Sequence, residues 1–118
     1  MHVARLQIDG RELLFAVADA RDHIQKRLLA GELYEAEMLA DMRQRCVWQD
    51  GVVVDIGANV GTHAIYLAAV CGQRVVAFEP QESARLLLQE SVRLNALESR
   101  LTVLPTALGD GPGRARLR

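Results

Sequence analysis

Two carboxylates in this chain are placed where they could do chemistry. Asp55 interrupts an apolar, β-branched run, Val52-Val-Val-Asp-Ile56, and the glycine-rich turn Gly57-Ala-Asn-Val-Gly61 follows at once. Glu79, with Pro80 behind it, ends a second apolar run that starts at Arg74. Strand, glycine turn, helix and strand in that order form one βαβ unit. Open parallel sheets bind ligands outside the carboxyl ends of such strands. The layout makes a pocket for a nucleoside with a free ribose diol.

The turn reads G-A-N-x-G, from Gly57, Ala58, Asn59 and Gly61. Glycine lets the backbone pass close to a ligand and take positive φ, and asparagine tolerates the left-handed region as well. Gly61 opens the following helix, where a larger side chain would hold helix and strand apart. The dinucleotide fingerprint G-x-G-x-x-G has a different spacing. It brings a helix N-terminus up to a pyrophosphate. Here the glycine expected for the phosphate approach is missing, which argues against a nicotinamide or flavin dinucleotide. S-adenosylmethionine carries no phosphate. Asp55 and the 57–61 turn offer polar groups and close backbone for its methionine part. Glu79 suits the ribose, because a carboxylate accepts two O–H bonds from a cis-diol, each worth about 1.5–3 kcal/mol. A strand-end Asp often only caps a loop, and an isolated Glu can be a surface acid. The four features together in one βαβ unit are much more specific.

Thr62 and His63 fall in the first turn of the next helix. Thr62 reads as a local cap or a contact near the cofactor carboxylate. His63 reads as a packed or hydrogen-bonded histidine, with a general base for a substrate hydroxyl as the functional alternative.

The elements around these residues follow from pattern. Asp9-Gly10 between two apolar-rich segments predicts a hairpin over Val3–Ile8 and Glu12–Val17. Asp19 is the expected N-cap of a helix that Gly31 stops. A second helix is expected over Leu33 to Arg45, with Tyr34, Met38, Leu39 and Met42 as a packing stripe against the sheet. The 52–56 run reads as a strand covered on both faces. A helix from Thr62 to Cys71, a strand from Arg74 to Phe78, a helix from Gln81 to Leu97 and a strand from Leu101 to Leu104 complete the pattern. Short links then require right-handed crossovers and a parallel sheet. Turns are expected at Gln49-Asp50-Gly51 and at 110–113, and residues 114–118 read as the start of another strand. The fold class is α/β, with residues 1–30 as a hairpin and helix and residues 31–118 as half of a Rossmann-like domain.

At 118 residues the chain suffices for one core. Net charge is −1, so no broad attraction to nucleic acid or anionic membrane is expected. Cys46 and Cys71 show no metal or redox spacing and read as reduced, partly buried thiols. The start lacks an apolar core of signal-peptide length, and a cytoplasmic location is expected.

Taken as a set, Tyr34-Glu35, Val53-Val-Asp-Ile-Gly-Ala-Asn-Val-Gly-Thr-His63, Tyr66-Leu-Ala68, Val76-Ala-Phe-Glu-Pro80, Leu94-Asn95 and Ala107-Leu-Gly-Asp110 resemble the FkbM-type methyltransferase family. The resemblance covers about residues 31–118. It implies a class I S-adenosylmethionine-dependent methyltransferase fold and O-methylation of a small-molecule, sugar or natural-product hydroxyl. Asp55, Gly57, Asn59 and Gly61 match the family's cofactor loop, Glu79 its ribose acceptor, and Thr62-His63 its usual Thr-His pair. Family members continue through further strands, including a later Lys-Ile-Asp-x-Glu-Gly-type segment that this sequence does not contain. The chain therefore reads as the amino-terminal part of such an enzyme. Its first parallel strand would have a bare edge, open to pairing with another copy. A non-catalytic cofactor-binding module is the alternative from another class, and a dinucleotide oxidoreductase the weaker one.

Overall fold

The computed structural model describes residues 1–46, 48, 50–109 and 111–113. β1 (His2–Ile8) and β2 (Arg11–Val17) form the expected hairpin, one residue longer at the start of each strand. Ile8 pairs with Arg11, so only Asp9 and Gly10 make the turn, and their φ values of 49° and 79° are those of the primed hairpin turn. Ala4, Leu6, Leu13 and Phe15 line its buried face.

α1 (His23–Leu29) starts one turn later than the sequence suggested. Asp22, not Asp19, is the N-cap, and it accepts from the N–H groups of Ile24 and Gln25. Asp19 instead accepts from the Arg21 N–H, closing a tighter turn. At the far end the Glu32 N–H bonds to the Arg27 carbonyl at 2.9 Å while Gly31 sits at φ 80°, a Schellman stop. α2 (Ala36–Arg45) also starts late, because Glu35 takes a left-handed φ of 57°. Of the expected stripe only Leu39 is buried. Met38 is 40% exposed, so this face is not a continuous packing surface.

β3 (Val52–Ile56), β4 (Arg74–Phe78) and β5 (Leu101–Leu104) form a parallel sheet in the order β3-β4-β5, linked through α3 (Thr62–Ala69) and α4 (Glu82–Leu94). α4 stops three residues short of the expected Leu97. Ala96 adopts φ 54°, and the Leu97 N–H turns back to the Val92 carbonyl at 2.9 Å. α4 also holds the hairpin. The Ala16 N–H donates to Ser91 Oγ at 2.9 Å, and Asn95 accepts from the Leu14 N–H and donates to the Leu14 carbonyl. These bonds satisfy part of an edge that would otherwise be unpaired.

The chain walks across the sheet in one direction, and two right-handed crossovers then set α3 and α4 on the same face. That face carries Val75 and Ala77, both buried, and their β3 neighbours in register, Val53 and Asp55. The opposite face is bare among the described residues. Val52, Val54 and Ile56 are 55%, 53% and 64% exposed. The expectation of a strand covered on both faces is thus corrected among the described residues, where β3 is an edge strand with one covered face. The strand expected over 114–118 and parts of the turns at 49–51 and 110–113 lie outside the described residues.

Candidate functional site

Every sequence-predicted site residue except the helix-borne Thr62 and His63 lies at the carboxyl tip of β3 or β4, or in the turn between β3 and α3. The turn is held by a compact set of bonds. The N–H groups of Gly57 and Ala58 both donate to the Phe78 carbonyl, at 2.9 and 3.0 Å. The Asn59 N–H donates to Glu79 Oε1 at 2.7 Å. Gly57, Asn59 and Gly61 have φ values of 73°, 54° and 100°, so the left-handed geometry expected of this turn is realised.

The two main glycines serve different needs. A Cβ on Gly57 would meet nothing within 4 Å, so there the requirement is the φ value and an open approach for a ligand. A Cβ on Gly61 would come within 2.5 Å of Leu88 Cδ1, in the middle of α4. The expectation of crowding between helix and strand is thus corrected: the close approach is between helices, and the missing side chain lets α4 close over the start of α3. Ala58 is buried beside it.

Glu79 is 8% exposed, and each carboxylate oxygen already accepts a backbone N–H: Oε1 from Asn59, and Oε2 from Gln81 at 2.9 Å. Each oxygen keeps lone-pair capacity for one further donor. The Arg85 guanidinium bonds the carbonyls of Glu79 and Pro80 at 3.2 and 3.0 Å and fixes the bend after β4. Pro80 has no N–H to extend the ladder, so the last β4–β5 bond in this row runs from the Glu79 N–H to Leu104.

Asp55 projects from β3 toward the same mouth. Its Oδ2 is buried and has no hydrogen-bond partner. Burial pushes its carboxyl above the ordinary carboxylate range; His63 nearby opposes this, and the Glu79 charge adds to it. A buried carboxylate oxygen without a partner is a place for a cationic or N–H donor.

Thr62 is buried as the first residue of α3, whose N-cap is Gly61 with no side-chain cap bond, so the local-cap reading of Thr62 is not realised. His63 Nε2 lies 3.1 Å from Glu35 Oε1. The contact lacks the angle of a directed hydrogen bond. Tyr34 stacks on the His63 ring with an interplanar angle of 11°. Tyr34 and Glu35 thus join the site from the segment before α2. Pattern reading gave them no site role; only their place in the family resemblance signalled them.

A hollow of about 590 Å³ opens beside this pair, lined by Ile8, Arg27, Glu32, Tyr34, Glu35 and Glu37 among others. Another of about 560 Å³ lies around Trp48, Gly51 and Arg74, at the amino ends of the strands. Ligands of open α/β sheets sit at the carboxyl ends, so this second hollow is the wrong end for the predicted chemistry. Among the described residues no group of three or more His, Cys, Asp or Glu side chains could hold a metal ion. No helix there is long and apolar enough to cross a membrane.

The chain resembles several solved structures in fold. These include Pyrococcus horikoshii TYW2 in complex with MeSAdo, at TM-score 0.62 and 20% identity over 94% of this chain and 38% of that one. A SAM-dependent methyltransferase from Agrobacterium tumefaciens matches at TM-score 0.58 and 17% identity, over 91% of this chain and 33% of its own. Residues 961–1257 of the StiE O-MT match at TM-score 0.53 and 19% identity, over 75% of this chain and 32% of that one. This chain therefore spans about a third of the length of these neighbours. No protein-family model and no curated protein matches the sequence. The α/β architecture, a parallel sheet preceded by a hairpin, is a fold shared with part of such methyltransferases.

Proposed function

We propose that this chain is the cofactor-binding part of an S-adenosylmethionine-dependent methyltransferase of the FkbM type, acting on a hydroxyl of a small molecule, sugar or natural product. The observation that carries the reading is the Asn59–Glu79 bond. It joins the glycine turn and the strand-tip acid into one rigid unit at the carboxyl end of a parallel sheet, where a nucleoside is expected. The fold shared with SAM-dependent methyltransferases supports the same reading.

The residues fit that cofactor. The open side of Gly57 admits close backbone contact, with Ala58, Asn59, Gly61 and the buried start of α3 at Thr62 completing the cradle. Asp55 Oδ2, buried and unpartnered, would take the cofactor's ammonium group, and His63 stands next to it. The remaining lone pairs of Glu79 would take the ribose diol, with Pro80 fixing the bend. When bound, the cofactor supplies an electrophilic sulfonium methyl, and the protein's part is to hold two reactants in line. A net charge of −1 on these residues offers no broad attraction to nucleic acid, which supports a small-molecule acceptor.

Calorimetric titration with S-adenosylhomocysteine and with NAD, on wild type and Glu79→Ala, tests the cofactor assignment. S-adenosylhomocysteine is expected to bind wild type, and the variant to bind it roughly 10- to 100-fold more weakly, as the loss of one or two charge-assisted bonds implies. Binding of NAD alone, or equal affinity in the variant, overturns the assignment.

A further inference from the structure

We propose that the cleft between the end of the hairpin and α2 binds an aliphatic amino alcohol, with its ammonium group at Glu35 and Glu37, its chain over Ile8, Leu33 and Ala36, and its hydroxyl at Tyr66. The site goes beyond the cofactor reading, since none of Asp55, Gly57, Asn59 and Glu79 lines it.

The cleft follows from the local backbone. Gly31 and Glu35, with φ values of 80° and 57°, bend the connection between α1 and α2. Ala36 and Ala40 then fall one turn apart on α2, and their small side chains leave room beside the end of β1. Two hollows result, of about 590 and 240 Å³. Ile8, Leu33 and Ala36 line both, so the two meet along an apolar waist. Beyond the waist the larger hollow carries Glu32, Glu35 and Glu37, and the smaller one Gln7, Asp9 and Tyr66.

Charge makes the two ends unlike. At the larger end Arg27 pairs with Glu32 at 3.5 Å. Glu35 meets His63, which is charged only when protonated. Glu37 is in no ion pair among the described residues. The amino end of α2 offsets only about half a charge. An excess of negative charge therefore remains, and an ammonium group, with three N–H donors for carboxylate oxygens, is the group that meets it.

At the smaller end Arg43 already pairs with Asp9, so a neutral polar group fits there. Tyr66 is 2% exposed, and its hydroxyl has no hydrogen-bond partner; Arg43 is near it but makes no directed bond. A buried hydroxyl left unpaired is costly, and a ligand that pairs with it removes that cost. A phenol both donates and accepts, as an alcohol does.

The test is titration of the 118-residue chain with 6-amino-1-hexanol, hexylamine and 1,6-hexanediol, followed by ¹H–¹⁵N spectra. At about pH 8 histidine is neutral and the amines are charged. The amino alcohol is expected to bind with a Kd of about 1 mM or tighter, the range open to so small a ligand, and to move the amide signals of Leu33, Ala36 and Ala40. The diol should bind at least about tenfold more weakly, for want of the charge-assisted bonds. Glu37→Gln should weaken both amines by about three- to tenfold and leave the diol unchanged. Tyr66→Phe should bring the amino alcohol down to the affinity of hexylamine. Ala36→Leu fills the waist and should abolish binding with the unfolding midpoint unchanged, since position 36 is exposed. Failure of the amino alcohol to bind, a diol that binds as tightly, or unmoved signals at Leu33, Ala36 and Ala40 overturns the proposal. So does wild-type affinity in Glu37→Gln, Tyr66→Phe or Ala36→Leu. None of these results touches the cofactor assignment, which the S-adenosylhomocysteine titration reads separately.

Discussion

The Asn59 N–H donates to Glu79 Oε1 at 2.7 Å, a bond between residues 20 positions apart that ties the tip of β4 to the turn after β3. Glu79 is therefore a strut as well as a candidate ligand group. Removing its carboxylate leaves the N–H groups of Asn59 and Gln81 without their partner. Glu79→Ala is expected to destabilise the unliganded protein by about 1–3 kcal/mol, the usual penalty for stranding buried donors. Glu79→Gln keeps one carbonyl acceptor and should lose less. Urea unfolding of the three proteins checks this order, and a Glu79→Ala variant as stable as wild type would remove the strut role.

Gly61 and Gly57 separate two reasons for glycine. Gly61→Ala combines a left-handed φ of 100° with a Cβ 2.5 Å from Leu88 Cδ1. It should cost about 2–4 kcal/mol, strain and overpacking together. Gly57→Ala has φ 73° and open space, so only the strain remains, about 1 kcal/mol. In a Leu88→Ala background the Gly61→Ala penalty should shrink, because the clash is gone and the φ strain is not. A double-mutant cycle by thermal or urea unfolding reads the coupling directly. Equal penalties at the two glycines would show that crowding against α4 plays no part.

Much of this was legible in the sequence, for reasons that differ by element. Asp9-Gly10 announces its hairpin because few residue pairs tolerate two consecutive positive φ values. The parallel strands were legible from β-branched runs between glycine turns. The helix starts were not. Asp19 and Asp22 are chemically equal caps, and only the engagement of Gln25 Oε1 by the Ala18 and Asp19 N–H groups fixes the later start. Nor was the end of α4, where Ala96 takes a geometry that glycine usually marks. An apolar run also does not say how many of its faces are covered, and so β3 was misjudged. At the site, Asp55, the turn and Glu79 were readable as local motifs. The contact between Glu35 and His63 was not, because it joins segments that only the fold brings together.

Asp55 sets a pH dependence whose sign follows from its surroundings. Burial raises its carboxyl above its ordinary 3.8, so the folded chain keeps the proton to a higher pH than the unfolded chain does. Stability from this group falls as pH climbs from about that ordinary value through the folded one. Asp55→Asn removes the buried charge. The variant should be more stable than wild type at neutral pH, and the gap should close on acidification. Urea midpoints for both proteins from about pH 4 to pH 7 check it, since that range spans the ordinary carboxylate values and above. A gap that widens toward acid would reverse the assigned sign. The same variant should bind S-adenosylhomocysteine more weakly, because the buried acceptor for its ammonium group is lost.

The bare sheet face sets the last expectation. Val52, Val54 and Ile56 project from an edge strand, more than half exposed, and Leu104 on β5 is 36% exposed. Among the described residues no strand pairs the outer edge of β3. An open edge beside an apolar face favours strand pairing between copies. Self-association of the 118-residue chain is therefore expected, rising with concentration. Val54→Lys should suppress it, because a charge on an edge strand disfavours pairing. The substitution should leave unfolding stability within about 0.5 kcal/mol, as at other exposed positions. Light scattering over a concentration series reads both proteins. A wild type that stays monomeric throughout would show that this edge and face do not drive association.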